Sequence, residues 1–329
     1  MPTESHNASH PLPALNQLCG HIRDIIGNPR RRHAIQTNPR MWDQACSSLD
    51  VIEDSQLAIS SYTQTDCGSN EGDHYLRIYG LLQACFLQQD AVTHLAEALQ
   101  VQLPTDPDLQ RVRKIRNDAI GHPTKRGGTN QTTFFYLSRI SISKWNFDLL
   151  HASPELGDTI YHIDLAQCLQ WQQDGITRGC QMMWDYLQQE EITHRQEFAA
   201  MSLTQILPKN IQYLFQKIHE GINTPQKMEI ARIAIGSITD AYQNFRKELI
   251  NRKELPANRN VEEELQDVEY AIGRLFTFLQ EGETQNFSSK DANIFAFYIQ
   301  HRHPTIVKIA EEIDQEYQDS AATLPEPSP

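Results

Sequence analysis

The run from Asp73 to Gln100 constrains this 329-residue chain more than any other stretch. Within it Tyr75, Ile78, Tyr79, Leu82, Cys85, Phe86, Val92, Leu95 and Leu99 recur at helical spacing, in a stripe wide enough for burial on more than one side. Such a helix needs neighbours on both flanks, so the expected architecture is mainly α, a helical bundle. Gln88, Gln89 and Asp90 interrupt the stripe and read as a polar face. Leu103-Pro104-Thr105 ends the run and hands over to a second helix, adjacent and antiparallel, whose pairing with the first is the expected scaffold.

Other segments fill in around this pair. Ala45, Leu49, Ile52, Leu57 and Ile59 predict a helix over Trp42–Ser61, after which Cys67-Gly68-Ser69-Asn70-Glu71-Gly72 breaks the chain. Asp164 with Gln167 forms a capping box ahead of a helix running towards Gln196, with Leu165, Leu169, Ile176, Met183 and Leu187 inward. Between these helices Thr132–Ile142 alternates, with Phe134, Tyr136, Ile140 and Ile142 on one side. Asn146–Leu150 and Thr159–Ile163 supply two further strands, giving a small antiparallel β appendage. Later helices are predicted over Leu203–Glu220, Pro225–Lys253, Val261–Gln280 and Asp291–Gln318, the last interrupted at Pro304. The expected organisation is an unstructured segment over 1–16, a helical domain over 17–200 with its β insertion at about 132–163, a C-terminal helical domain over 201–319, and an unstructured tail over 320–329.

Chemistry concentrates in DPDLQRVRKIRNDAIGHPTKR, residues 106–126. Asp106 can cap a helix, Pro107 suits its first position, and Asp108 complements the positive end of the dipole. Leu109, Val112, Ile115 and Ala119 give a narrow buried stripe. Gly121 is suited to a left-handed C-terminal cap, and Pro123 disfavours helical geometry at His122. Arg111, Arg113, Lys114, Arg116, Lys125 and Arg126 face only Asp118 within 111–126, whereas 41–110 holds Arg77 against eleven acids. With a net charge of −13 and a pI near 5.4, the chain is not built to coat nucleic acid; any contact with a polyanion has to be local.

Arg116-Asn117-Asp118-Ala119-Ile120-Gly121-His122 resembles the Arg-x(4-6)-His signature of the HEPN superfamily, with its polar residue after Arg and its His at a helix exit. The resemblance implies a HEPN-like helical bundle and a metal-independent endoribonuclease acting as a toxin or phage-defence effector. It also implies a homodimer whose protomers pack their motif helices together to complete each other's sites. Arg116 and His122 are then catalytic, Asn117 and Asp118 supporting, and Arg111, Arg113, Lys114, Lys125 and Arg126 contact RNA. No metal and no cofactor is required. Residues 201–329 would regulate the activity or bind an antitoxin or other regulatory protein. One HEPN subgroup is controlled by nucleotide transfer to a Tyr two residues after the His; Thr124 stands there in this chain. The residues alone leave another reading open, a non-catalytic helical interaction module in which Arg116 pairs with a carboxylate of the acidic helix before it. At about 600° of separation on a straight helix, Arg116 and His122 meet only if the exit bends.

The remaining features are quieter. Cys19, Cys46, Cys67, Cys85, Cys168 and Cys180 show no C-x-x-C or zinc-type spacing and read as reduced thiols of a cytoplasmic protein. No run of about 18 apolar residues and no secretory signal is present, so no membrane association or export is expected. Arg30-Arg31-Arg32-His33 reads as a basic loop and a candidate phosphate contact. His301-Arg302-His303 points its side chains in different directions on a helix and makes a poor metal site.

Overall fold

A computed structural model describes residues 12–66, 70–121, 123–124, 132–153 and 157–322. Among these residues the chain is mainly helical with one small antiparallel sheet. It divides into two compact units, residues 1–26 with 35–187 and residues 27–34 with 188–329.

The first unit contains α1 (Leu12–Gly27, as far as Ile26), α3 (Pro39–Gln64), α4 (Glu71–Ala98), α5 (Pro107–Arg116), strands β1 (Phe134–Leu137), β2 (Asn146–Ala152) and β3 (Thr159–Asp164), and α6 (Leu165–Phe198) as far as Leu187. Helix α2 (Pro29–Gln36) falls mostly in the second unit. The α4 run starts where Asn70 caps it through Asp73 N–H, and its most extensive partner is α3 rather than α5. Helix α1 already begins at Leu12, inside the segment expected to be unstructured.

Unit 1 has two apolar clusters. One joins Leu15, Ile22, Leu49, Ile52, Val92, Leu95, Ile176 and Met183; the other joins Ile59, Leu82, Cys85, Val112, Phe147, Leu149, Leu165 and Cys168. Between them lies a layer of amides. Gln89 Nε2 donates to Gln172 Oε1 (2.7 Å), Gln172 Nε2 to Gln88 Oε1 (3.0 Å), and Gln88 Nε2 to Gln56 Oε1 (3.0 Å). Gln89 also reaches the Leu109 carbonyl and Gln172 the Cys85 carbonyl. On α3, α4 and α6 alike, the glutamine sits where the helix passes from one cluster to the other. The expected polar face at Gln88-Gln89 is therefore a buried, satisfied network; only Asp90 faces outward, to pair with Arg113 (2.7 Å).

The sheet has order β1-β2-β3, with Phe135 opposite His151 and Leu149 opposite Tyr161. Phe135, Phe147 and Leu149 are buried, while Tyr136 and Ile140 are exposed. The inward set is thus the one-residue alternative to that expected from Phe134, Tyr136, Ile140 and Ile142. The run is apolar at consecutive positions, so the pairing to β2 decides which side is covered.

The second unit closes its own core around α7 (Ile211–Asn223), α8 (Met228–Asn251), α9 (Arg259–Glu281) and α10 (Ser289–Ala322). The predicted Leu203–Glu220 helix is split, with a 3-10 turn at Leu203–Gln205 ahead of α7. Pro304 does not interrupt α10: buried His303 meets Tyr242 Oη (2.9 Å), Arg302 pairs with Glu264, and Ile306 is buried, so packing on both sides carries the helix through. α10 continues to Ala322, beyond the expected start of the tail.

Arg30, Arg31 and Arg32 lie on a helix, not in a loop. Buried Arg30 pairs with Glu191, and Arg31 with Glu190 (2.6 Å). Both charges are paired inside the second unit, which lowers what they offer to a phosphate.

Candidate active site

Helix α5 starts as its sequence predicts. Asp106 Oδ1 accepts from Asp108 N–H (2.9 Å) and Leu109 N–H (3.1 Å), while Asp106 Oδ2 accepts from Arg178 of α6 (2.6 Å). Burial alone would raise the Asp106 carboxyl; the Arg178 guanidinium and the two N–H groups outweigh it and hold the carboxyl below its ordinary value. Val112 and Ala119 are buried, with Leu109 and Ile115 partly so.

The far end departs from expectation. After Arg116 the backbone widens into a π-helical turn over Asn117–Gly121. Gly121 belongs to this turn and does not take a left-handed cap, since the glycines with positive φ among the described residues are Gly157 and Gly282. Its missing side chain matters for another reason: a Cβ there would lie 3.0 Å from Arg116 Nη1 and 3.3 Å from Asn117 Oδ1. The arginine head is folded back against Gly121. Single π turns interrupt helices frequently at functional sites, because they re-aim side chains that an α-helix would fix.

Around α5 the basic residues diverge. Arg111 pairs with Asp108 (2.9 Å) and lies over Trp171 (5.4 Å). Lys114 pairs with Asp118, which is 2% exposed, and lies 5.9 Å from the rings of both Phe135 and Tyr161. Arg113 lies over Phe86 (4.3 Å) in addition to its pair with Asp90. Arg116 is different. Its Nη2 donates to Gln83 Oε1 (2.8 Å), its Nη1 to Asn117 Oδ1 (3.0 Å), and its guanidinium carbon lies 4.0 Å from the Phe86 ring centre. Its Nε is buried with no hydrogen-bond partner, and no carboxylate among the described residues lies within ion-pair distance. The pairing of Arg116 with an acidic neighbour, open from the sequence, does not occur.

His122, Lys125 and Arg126 lie outside the described residues, as do Gly127 and Gly128. Pro123 is described: its carbonyl accepts from Phe135 N–H (2.9 Å), which ties the chain just after His122 to the edge of the sheet. Asn117 holds Arg116, and Asp118 holds Lys114. Two residues with no motif signal complete the setting, Gln83 and Phe86, one turn apart on α4.

Burial pushes the Cys85 and Cys168 thiols up to about 12, too high for a thiolate nucleophile near neutral pH. Among the described residues no group of three or more His, Cys, Asp or Glu is placed to hold a metal ion, and no helix is long and apolar enough to cross a membrane.

No family model matches the chain. No curated protein and no solved structure gives a significant match either. The functional reading therefore rests on the residues themselves.

Proposed function

We propose that the chain is a metal-independent endoribonuclease of the HEPN type, acting as a toxin or phage-defence effector, with Arg116 and His122 as its catalytic pair. The observation that carries this reading is the environment of Arg116. Its charge is oriented by two neutral amide oxygens and a ring face, left without a carboxylate partner among the described residues, and folded against Gly121. A guanidinium held this way is ready for a phosphate, whose planar oxygen pairs match its fork.

In the proposed reaction a base removes the proton of the RNA 2′-hydroxyl, and the oxygen attacks the adjacent phosphorus. The bond to the 5′-oxygen breaks, an acid returns a proton to that oxygen, and the products are a 2′,3′-cyclic phosphate and a 5′-hydroxyl. Imidazole suits either proton transfer near neutral pH, and Arg116 would stabilise the charge on the pentavalent phosphorane. One His cannot serve as both acid and base at once, and a second copy of the chain is the proposed source of the other group. The outer face of α4 supports this. Asp73, Leu76, Gly80, Gln83, Leu87 and Asp90 follow a 3-4-3-4-3 spacing that reads the same from either end, and Leu76 and Leu87 are exposed. Antiparallel two-fold packing of α4 on its copy would set Leu76 against Leu87, Gly80 against Gln83, and Asp73 against Asp90, whose charge Arg113 offsets, bringing both Arg116 cradles to one interface.

The test is cleavage of end-labelled total RNA and tRNA in EDTA. Wild type yields fragments ending in cyclic phosphate. Arg116→Ala and His122→Ala each lower the rate by about a hundredfold or more while leaving the dimer intact. A fully active His122→Ala protein overturns the reading.

A second reading, a non-catalytic helical interaction module, draws on exposed apolar residues: Leu76, Tyr79 and Leu87 in the first unit, and Ile230, Ile233 and Tyr270 in the second. It expects intact RNA and a copurifying protein. Under the first reading, residues 201–329 supply the surface for an antitoxin or regulatory partner.

A further inference from the structure

On the side of α5 that meets the sheet, rings and cations alternate. Phe135 and His151, directly paired across β1 and β2, stack at 4.8 Å and 22°; Tyr161, diagonal to His151 on β3, follows at 6.3 Å. Lys114 lies 5.9 Å from both Phe135 and Tyr161. One turn back along α5, Arg111 lies over Trp171 of the helix that continues from β3. Phe135 is buried, His151 half-buried and Tyr161 43% exposed, so the row runs from a fixed inner ring to an open outer one. The exposed Lys114 head is tethered to buried Asp118, which keeps its charge above the rings.

We propose that Tyr161 and His151, flanked by Lys114, form a nucleobase-stacking subsite for single-stranded RNA. A ring platform beside a cation recognises unpaired bases by their π faces and the backbone by charge. The carboxylate of Asp118 beside Lys114 does not favour an acidic peptide. The inference rests on the ribonuclease reading and extends it. Lys114 and Arg116 are two residues apart, about 200° around the helix, so the platform is not the phosphate site. It flanks that site, joined to it through the bond from Phe135 N–H to Pro123. It would hold an unpaired base of the same strand away from the scissile linkage and so contribute to choice of target.

The experiment measures binding of a fluorescent single-stranded 2′-O-methyl RNA, which lacks the attacking hydroxyl, to the full chain by anisotropy. Tyr161→Ala is expected to weaken binding about five- to a hundredfold, the equivalent of one stacked base. Tyr161→Phe keeps the ring and should bind as wild type. So should Tyr136→Ala, which removes an exposed ring from the opposite face of the sheet. Wild-type binding by Tyr161→Ala, or an equal loss in Tyr136→Ala, overturns the platform, and so does wild-type protein that binds no RNA. The nuclease reading is scored separately. If cleavage depends on Arg116 but binding does not depend on Tyr161, the platform alone fails. If binding depends on Tyr161 and no RNA is cut, the nuclease alone fails.

Discussion

Arg116 differs from the other cations of its helix in the company it keeps. Arg111, Arg113 and Lys114 each face a carboxylate, which lowers what they offer to an incoming anion; Arg116 faces amides and a ring. Gly121 is what allows its head to fold back. Gly121→Ala would push Nη1 away by a few tenths of an ångström while removing the helical penalty of glycine, about 1 kcal/mol. The melting temperature should hold or rise slightly, and RNA cleavage should fall about tenfold. A drop in both would mean that the glycine serves the fold instead. At this scale the sequence was legible where the physics is local: the Asp106 cap is read from neighbours in the chain. Gln83 and Phe86 were not, because nothing near them in sequence marks them as the seat of an arginine about thirty positions on.

Among elements, the amide layer across α3, α4 and α6 does most to define the first unit. Gln172 is its centre, donating to Gln88 and Cys85 and accepting from Gln89. Gln172→Leu leaves the Gln88 side-chain oxygen buried without its donor and should cost about 2–4 kcal/mol. Exposed Gln170→Leu should stay within about 0.5 kcal/mol. Urea unfolding of the two variants checks this; equal midpoints would mean the layer contributes nothing specific. Helix positions were legible from periodicity, but periodicity could not tell a polar face from a polar layer, since both place amides on a helix at the same spacing. Strand existence was legible and strand facing was not: Phe134, Phe135, Tyr136 and Leu137 are all apolar, so either alternation fits.

At the scale of the whole molecule, each unit has its own core, and the second carries a buried ionic cluster. His194 lies 3.1 Å from Tyr317 Oη, near Arg30 and Glu191. Burial first, and then the charge of Arg30, push its imidazole from the ordinary 6.5 down to about 4. Between those values the unfolded chain binds a proton that the folded chain refuses. This contribution is therefore full above pH 6.5 and is lost as pH falls towards 4. Burial of Glu254, whose carboxyl is raised, acts in the opposite sense and offsets part of the loss. The melting temperature should fall more steeply between pH 7 and 4.5 in wild type than in His194→Gln; identical slopes would remove the assignment. None of this cluster could be read locally, because Arg30 meets its partner 161 residues away.

The amide layer also bears on how the molecule comes together. Helices α3 and α4 are neighbours in sequence and can pair early, and Gln88 can then find Gln56 at once. The Gln88 side-chain oxygen lacks its donor until Gln172 arrives from 84 residues downstream, with α5 and the whole sheet lying in between. Closure of this otherwise local, helical unit is paced by one long-range encounter, and its folding should be slower than its helix content suggests.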